Sequence, residues 1–251
     1  MKPFDDVRMR QVFAIALDKQ ALANNVLQGT VQATNHIVPN GTPGYNPALT
    51  GPDGTQNLSG NTQAANQLAA AYATDTKCGT ATDFSKCPPV TLTIISGAPE
   101  YQNEAAAAQQ MWLKAMPNYP ITITSIDFNT LLQKTSAHQL QFWTLAWIED
   151  YPDPQDWLTT NLACDSAYNA GQACDTQADA LMKAADANPS ESARLVQYQQ
   201  AEQILVTKVA WLPLDQATNW WETKPYLVNF TITAGGLIPR ESWQTMFIAA
   251  H

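Results

Sequence analysis

Four acidic side chains, two tryptophans and one tyrosine lie within residues 146–157, AWIEDYPDPQDW. Carboxylates this close together can form a catalytic acid pair, hold a metal ion, or face a cationic ligand beside aromatic rings. Asp150, Asp153 and Asp156 are spaced by three residues, whereas an EF-hand calcium loop places ligands at alternate positions, with a central glycine and a terminal glutamate. The spacing therefore favours one side of a binding pocket over a metal loop.

No positive sign of catalysis is present in the sequence. A nucleophilic Ser or Cys needs a base within reach, but no GxSxG is present, and the three histidines fall in a loop (His36), at a helix end (His138) and at the terminus (His251). The glycines lie in loops such as GTPG and AGG, not in a strand-to-helix turn that cradles phosphate. We expect no catalytic residue, no metal and no cofactor, which makes a secreted hydrolase the least favoured alternative.

Composition excludes some partners. The 251 residues carry a net charge of -9, with 45% hydrophobic and 14% charged residues, which is typical of a globular protein of one or two domains. Nucleic acid is not expected as a partner, because no run of Lys and Arg is present to meet a phosphate backbone. No apolar stretch approaches the roughly 20 residues that span a bilayer.

The four cysteines form two close pairs, Cys78/Cys87 and Cys164/Cys174, each in a stretch with loop composition. Four cysteines permit three pairings, and the local one closes two short loops, each worth about 2.5–3 kcal/mol. A zinc site requires closer cysteine spacing and usually histidine. We expect the two local disulfides, with free thiols as the alternative. Disulfides imply an extracytoplasmic compartment, although residues 1–10 lack the apolar core of a signal peptide.

Strand and helix patterns alternate in the middle of the sequence. Apolar runs of strand type at 90–95, 121–126 and 140–148 are separated by helical patterns at 101–116 and 128–137. This order predicts an α/β fold with a mixed, partly parallel sheet flanked by helices. Ligand contacts are then expected at the strand ends.

Aspartates mark several helix starts, because a carboxylate can accept from the free N–H groups of a first turn. The candidate caps are Asp5, Asp6, Asp18, Asp127 and Asp153. Asp156 resembles the acidic partner of a capping box, and we expect both it and Glu149 to be solvated. Residues 36–61, rich in Pro, Gly and Asn, predict a long surface loop.

Several motifs resemble one family in the same order. PFDDVRMRQVFAIALDKQAL resembles a helix of the family 5 extracellular solute-binding proteins, the peptide and oligopeptide receptors of ABC importers. PNGTPGYNP, LTI, WIEDYPDP, YQQAEQIL and WLPL follow in the order of that family. The resemblance implies a type II periplasmic-binding-protein-like lobe over residues 1–208, and a tail over 209–251 that returns to a first lobe absent here. We interpret Met1 as the start of a truncated chain, whose parent is periplasmic or lipid-anchored.

The resemblance also implies a ligand site. In peptide-binding relatives the acid of a GWxxDY motif meets the free α-amino group of the ligand, and Asp150 occupies that position in AWIEDY. Trp147 matches the aromatic residue, and Ala146 replaces the usual glycine. Tyr101 and Phe128 fall at cleft-facing positions after the first and second strands. For all four side chains the alternative is a packing or local structural role.

The partners follow from the same resemblance. We expect a peptide or another small solute as ligand and, in the full-length protein, an ABC permease as partner. An oligosaccharide is the alternative ligand, because tryptophan-rich sites stack on sugar faces. Without a first lobe the strands of the tail leave unpaired edges, which predicts an altered tail position or a dimer through the tail.

Overall fold

The computed structural model describes residues 1–218, 221–233, 236 and 238–250, so Trp220 and His251 lie outside the described residues. The described α-helices are α1 (Val7–Ile15), α2 (Lys19–Ala21), α3 (Thr62–Thr76), α4 (Pro99–Ala115), α5 (Phe128–Ser136), α6 (Pro154–Trp157), α7 (Thr159–Leu162), α8 (Thr176–Asp186), α9 (Glu191–Thr207) and α10 (Ser242–Thr245), and a π-helix, Leu22–Val26, follows α2. The described strands are β1 (Val31–Ala33), β2 (Val90–Ile95), β3 (Ile121–Ile126), β4 (Phe142–Trp143), β5 (Asp215–Ala217), β6 (Leu227–Val228) and β7 (Phe247–Ile248).

A three-stranded parallel sheet lies at the centre, in the order β3-β2-β4. β2 pairs with β3 over its whole length, from Val90 opposite Ile121 to Ile95 opposite Ile126. The helices α4 and α5 form the crossovers, as parallel pairing requires. Two small antiparallel pairs, β1-β5 and β6-β7, complete the described sheets. The predicted α/β fold with a partly parallel sheet is confirmed.

The strand β4 is much shorter than the strand predicted over residues 140–148. Of the run 140–148, only Phe142–Trp143 pairs with β2, and the last ladder bond runs from Thr144 N to Thr93 O at 3.1 Å. Beyond it, the N–H of Asp150 and the indole N–H of Trp147 both donate to one buried side chain. The apolar run predicted a longer strand because sequence pattern does not show that the chain folds over this buried side chain after β4.

Two groups of buried side chains form the cores. The first core lies between the sheet, α1, α3 and α4, and includes Met9, Phe13, Tyr72, Leu92, Ile94 and Trp112. The second core lies among α7, α8, α9 and the 36–61 segment, and includes Leu49, Leu158, Leu162, Met182, Tyr198 and Leu205. The first core supports the parallel sheet, and the second supports the segment that follows β4.

The aspartate caps are confirmed at four helix starts. Asp6, Asp18, Asp127 and Asp153 each accept a hydrogen bond from a first-turn N–H, at 2.8–3.0 Å. Asp5 is not a cap, since Asp6 fills that place for α1.

The 36–61 segment is irregular, as predicted, but part of it is buried. Ile37, Val38 and Leu49 belong to the second core. The carboxylate of Glu202, itself fully buried in α9, accepts from the N–H groups of Ile37 and Val38 at 2.8 and 2.9 Å. The prediction of a surface loop was therefore wrong for this stretch, because a distant carboxylate satisfies its main chain.

Both predicted disulfides form. Cys78 bonds to Cys87, and Cys164 bonds to Cys174. The first closes the turn after α3, and the second closes a loop between α7 and α8.

The tail begins by returning to the region that follows α2. β5 pairs antiparallel with β1, with Asp215 opposite Ala33 and Ala217 opposite Val31. Farther along, β6 and β7 pair with each other. Within the described part of the protein, no helix is both long and apolar enough to cross a membrane.

Candidate ligand-binding site

The four predicted ligand residues follow the three strands of the parallel sheet. Tyr101 lies in the first turn of α4 after β2, Phe128 begins α5 after β3, and Trp147 and Asp150 follow β4. Because the carboxyl ends of parallel strands share one edge, the topology brings all four to the same side of the sheet. That edge is where open α/β sheets commonly bind ligands.

Side chains alternate in the turn after β4. Trp147 and Glu149 are partly buried, whereas Ile148 and Asp150 are exposed. The Glu149 carboxylate accepts from the indole N–H of Trp157 at 3.3 Å. Glu149 therefore has a local structural partner and is less solvated than predicted, and the turn presents Ile148 and Asp150 outward.

Asp156 lies under this turn and is fully buried. Its Oδ2 atom accepts from the indole Nε1 of Trp147 at 2.9 Å and from the N–H of Asp150 at 3.2 Å. The Asn161 side chain donates to the Asp156 carbonyl oxygen at 2.8 Å. The prediction that Asp156 is solvated was wrong, because the turn folds over it and supplies two donors.

The three aspartates within residues 150–156 differ in charge pairing. Asp153 caps α6 and forms a two-pronged ion pair with Arg194. Burial raises the pKa of Asp153, but the Arg194 guanidinium and the Gln155 N–H outweigh burial and hold the pKa below its ordinary value. Among the described residues, the Asp150 carboxylate has no hydrogen-bond or ion-pair partner. Asp150 thus offers an exposed, uncompensated negative charge.

Tyr168 joins the site although its sequence context did not single it out. Its ring meets that of Trp147 edge to face, with centroids 5.8 Å apart and planes at 68°. Tyr168 is 63% exposed and lies in the loop closed by Cys164–Cys174. The neighbouring Asn169 side chain donates to the Ala163 carbonyl just before that loop, at 3.1 Å, and to the Ala173 carbonyl within it, at 2.7 Å. The loop therefore holds an exposed aromatic ring next to Trp147.

Tyr101 and Phe128 differ in environment. Tyr101 is partly buried and packs against the first core, which favours a structural role for at least part of its side chain. Phe128 is 49% exposed at the start of α5. Their role in ligand binding stays a prediction.

Other possible sites offer a ligand fewer charged groups. An open groove of about 720 Å³ lies between α8 and α9, lined by uncharged side chains that include Leu181, Gln200 and Ile204. It contains none of the four predicted residues. Among the described residues, no group of three or more His, Cys, Asp or Glu side chains is placed to hold a metal ion.

Curated relatives with similar sequences are named as binding proteins for short peptides. Dipeptide-binding protein DppE of Bacillus subtilis (strain 168) is 26% identical over 216 residues, covering 85% of this chain and 38% of DppE. Di/tripeptide-binding protein 4 of Pseudomonas aeruginosa (strain UCBPP-PA14) is 33% identical over 132 residues, covering 50% of this chain and 24% of that protein. The chain thus spans less than half the length of these relatives.

A solved structure and a family profile complete the comparison. The Escherichia coli murein tripeptide binding protein MppA matches with a TM-score of 0.78 at 21% identity, covering 100% of this chain and 47% of MppA. At that identity the likeness shows a shared fold. The profile described as "Bacterial extracellular solute-binding proteins, family 5 Middle" matches residues 1–169. The chain therefore belongs to family 5 of the bacterial extracellular solute-binding proteins.

Proposed function

We propose that this chain is the second lobe of a peptide receptor for an ABC importer, working outside the cytoplasm. In this proposal residues 1–208 form the lobe, and residues 209–251 form a tail that returns toward a first lobe. Family membership, the peptide ligands in the relatives' names and the partial coverage of those relatives support it. The receptor would bind and release its ligand without chemistry and deliver it to a membrane permease.

The single observation that carries the proposal is the unpaired carboxylate of Asp150. It lies exposed beyond a strand end, beside an aromatic ring that is held in place by a hydrogen bond. A peptide's α-ammonium group is the complementary charge, and a charge-assisted hydrogen bond between the two is strong once closure removes water. Asp153 cannot serve in the same way, because Arg194 already neutralises it.

The aromatic side chains would contact the rest of the ligand. Trp147 and Tyr168 form a continuous pair of rings. Tyr101 and Phe128 would add contacts from the neighbouring strand ends. Such rings bury large apolar areas and leave main-chain polar groups of a peptide to other donors and acceptors.

Affinity would require closure of two lobes around the ligand. One lobe covers one side of a peptide, so most of the favourable burial is missing in the isolated lobe. Hinge closure is the general way such two-lobed receptors bury a ligand. We expect the isolated lobe to bind peptides weakly.

The test uses the full-length natural protein that contains this lobe. Ligands that co-purify are identified by mass spectrometry, and the Kd is then measured for each identified peptide with a free and with an acetylated N-terminus. Acetylation should weaken binding by about tenfold to a hundredfold, because a hydrogen bond to a charged group contributes about 1.5–3 kcal/mol.

Substitutions then assign the effect. Asp150→Asn should remove the preference for a free N-terminus. Asp5→Asn removes one negative charge at an exposed position near residue 1 and should leave the preference intact. Equal binding of free and acetylated peptides by the unsubstituted protein would show that the Asp150 assignment is wrong.

An oligosaccharide is a second candidate, favoured by the partly exposed Trp147–Tyr168 ring pair. Co-purification of sugars without peptides would select it. A hydrolase would be indicated by turnover of any bound ligand, which the mass spectrometry would also detect.

We also propose that the tail makes the isolated lobe dimerise. Trp243, Phe247 and Ile248 are more than half exposed, at 62%, 53% and 67%, around the short β6-β7 pair. Without a first lobe, this apolar surface and the strand edge would pair with a second copy. Light scattering of the isolated lobe with its tail and of the full-length protein tests this, with a dimer expected only for the isolated lobe.

A further inference from the structure

Asp156 is an unusual carboxylate for the interior of a protein. Asp156 has 0% exposure, and among the described residues its carboxylate has no ion-pair partner, since Arg194 of α9 pairs with Asp153. Among the described residues, the Oδ1 atom of Asp156 has no hydrogen-bond partner. Burying a carboxylate with an unused oxygen costs stability.

The hydrogen bonds that Asp156 does accept converge on residues 147–150 after β4, the ligand turn. Oδ2 holds the side chain of Trp147 and the main chain of Asp150, the two residues on which the proposed ligand contact depends. The helix α6 fixes Asp156 in turn, because it starts at the Asp153 cap with Pro154 in its first position. One oxygen atom on a short, capped helix thus accepts a hydrogen bond from each of the two ligand residues.

We propose that Asp156 is a positioning residue of the ligand site. This inference rests on the proposed peptide-receptor function. Asp156 would not touch the ligand. Without its acceptor, the indole N–H of Trp147 and the N–H of Asp150 would turn toward water, and the aromatic ring and the free carboxylate would leave the relative positions that a peptide N-terminus requires.

Two substitutions at Asp156 distinguish the effect of its hydrogen-bond acceptor from the effect of its charge. In Asp156→Asn the amide oxygen can accept both hydrogen bonds, because a single oxygen accepts them now. Asp156→Ala removes the acceptor. Glu149→Gln is the matched control in the same turn, since Glu149 accepts from Trp157 and from neither ligand residue.

The experiment uses the full-length protein and two readouts. The first is the NMR signal of the Trp147 indole N–H without ligand, assigned by its loss in Trp147→Phe. The second is the Kd for a peptide identified by co-purification. We expect Asp156→Ala to lose the exchange protection of the indole N–H and to bind about tenfold to a hundredfold more weakly, while Asp156→Asn and Glu149→Gln keep both properties.

The outcomes are distinct. If Asp156→Ala binds peptide like the unsubstituted protein, the positioning role is wrong. If Asp156→Asn keeps a protected indole N–H but binds as weakly as Asp156→Ala, the carboxylate acts through its charge and the positioning role is again wrong. If the unsubstituted protein binds no peptide, the proposed function itself fails. A folded state of each variant is checked by its unfolding transition.

Discussion

The guanidinium of Arg194 donates two hydrogen bonds to the carboxylate of Asp153, at 2.8 and 2.5 Å. The guanidinium also lies 4.9 Å from the centre of the Tyr198 ring on its own helix, α9. Because Asp153 caps α6, this pair ties the long helix α9 to the helix that supports the ligand turn. The second core and the candidate site are thereby joined through one ion pair.

Replacing Arg194 with Met should destabilise the protein in a pH-dependent way. Both side chains are mostly buried, at 20% and 28% exposed, so we expect a loss of about 1–2 kcal/mol near neutral pH. Because the pair lowers the pKa of Asp153 in the folded state, its stabilisation is present above the unfolded value of 3.8 and is lost as the pH falls through the lower folded-state pKa. The difference in urea-unfolding free energy between the two proteins should therefore shrink in acid.

Lys183→Met is the control for Arg194→Met. Lys183, which is 51% exposed, pairs with the exposed Asp165 and with Asp179 one turn earlier in α8. Water and salt screen an exposed pair, so we expect a smaller loss than for Arg194→Met. Equal losses for the two substitutions would contradict the special role of the Arg194–Asp153 pair.

Lys19 should make stability rise with pH above neutrality. It is 4% exposed, its Nζ donates to Thr34 O and Asn35 Oδ1 at 3.1 and 2.7 Å, and burial lowers its pKa from 10.5 to about 7. Between these two pKa values the unfolded protein binds one more proton than the folded protein, so the free energy of unfolding increases as the pH rises. One such group contributes a slope of up to about 1.4 kcal/mol per pH unit.

Urea unfolding between pH 7 and pH 9 tests this expectation. As the pH rises, the unfolding free energy of the unsubstituted protein should increase relative to that of Lys19→Met. Lys86→Met, at an exposed position, should keep the original slope. Identical slopes for all three proteins would show that Lys19 stays charged when buried.

The two disulfides should have separable effects. Each closes a loop of nearly equal length, with sequence separations of 9 and 10 residues, so removing either one by paired Cys→Ser changes should cost about 2.5–3 kcal/mol. Only the loss of Cys164–Cys174 should also weaken peptide binding, because that loop holds Tyr168 against Trp147. Kd measurements on both double variants below their unfolding transitions distinguish the effects, and equal weakening would count against Tyr168.

Gly60→Ala should be far more damaging than Gly97→Ala. Both glycines have positive φ, +70° and +86°, but a Cβ at Gly60 would lie 2.8 Å from both atoms of the Leu17 carbonyl group, whereas one at Gly97 meets nothing within 4 Å. We expect a loss of about 3 kcal/mol or more at Gly60 and about 1–2 kcal/mol at Gly97. Thermal unfolding measures both, and similar shifts would mean that α3 can move away from α1 without strain.

Local signals explain what could be predicted from the sequence. Asp18, Asp127 and Asp153 each cap a helix within three residues of themselves, so type and spacing suffice. The parallel sheet follows from the alternation of strands and helices, which places the residues after β2, β3 and β4 at one edge. The local cysteine pairs also needed only short-range spacing.

Long-range contacts explain what could not. Asp153 and Asp156 have the same side chain three residues apart, but one is paired near the surface and the other is fully buried, because the turn from Trp147 folds back over only one of them. Tyr168 meets Trp147 through a loop set by a disulfide, and Glu202 satisfies a main-chain stretch 165 residues before it. No pattern within a helix or strand encodes these contacts.

The short segment WLPL after α9 has a mechanical consequence for unfolding. Trp211 packs against the second core, whereas Leu212 and Leu214 pack against the first. Successive side chains of one extended stretch therefore belong to different cores, and loosening either core removes support from the other. This sharing favours a single cooperative transition, in which α1 and α9 lose their amide-exchange protection together instead of opening as independent units.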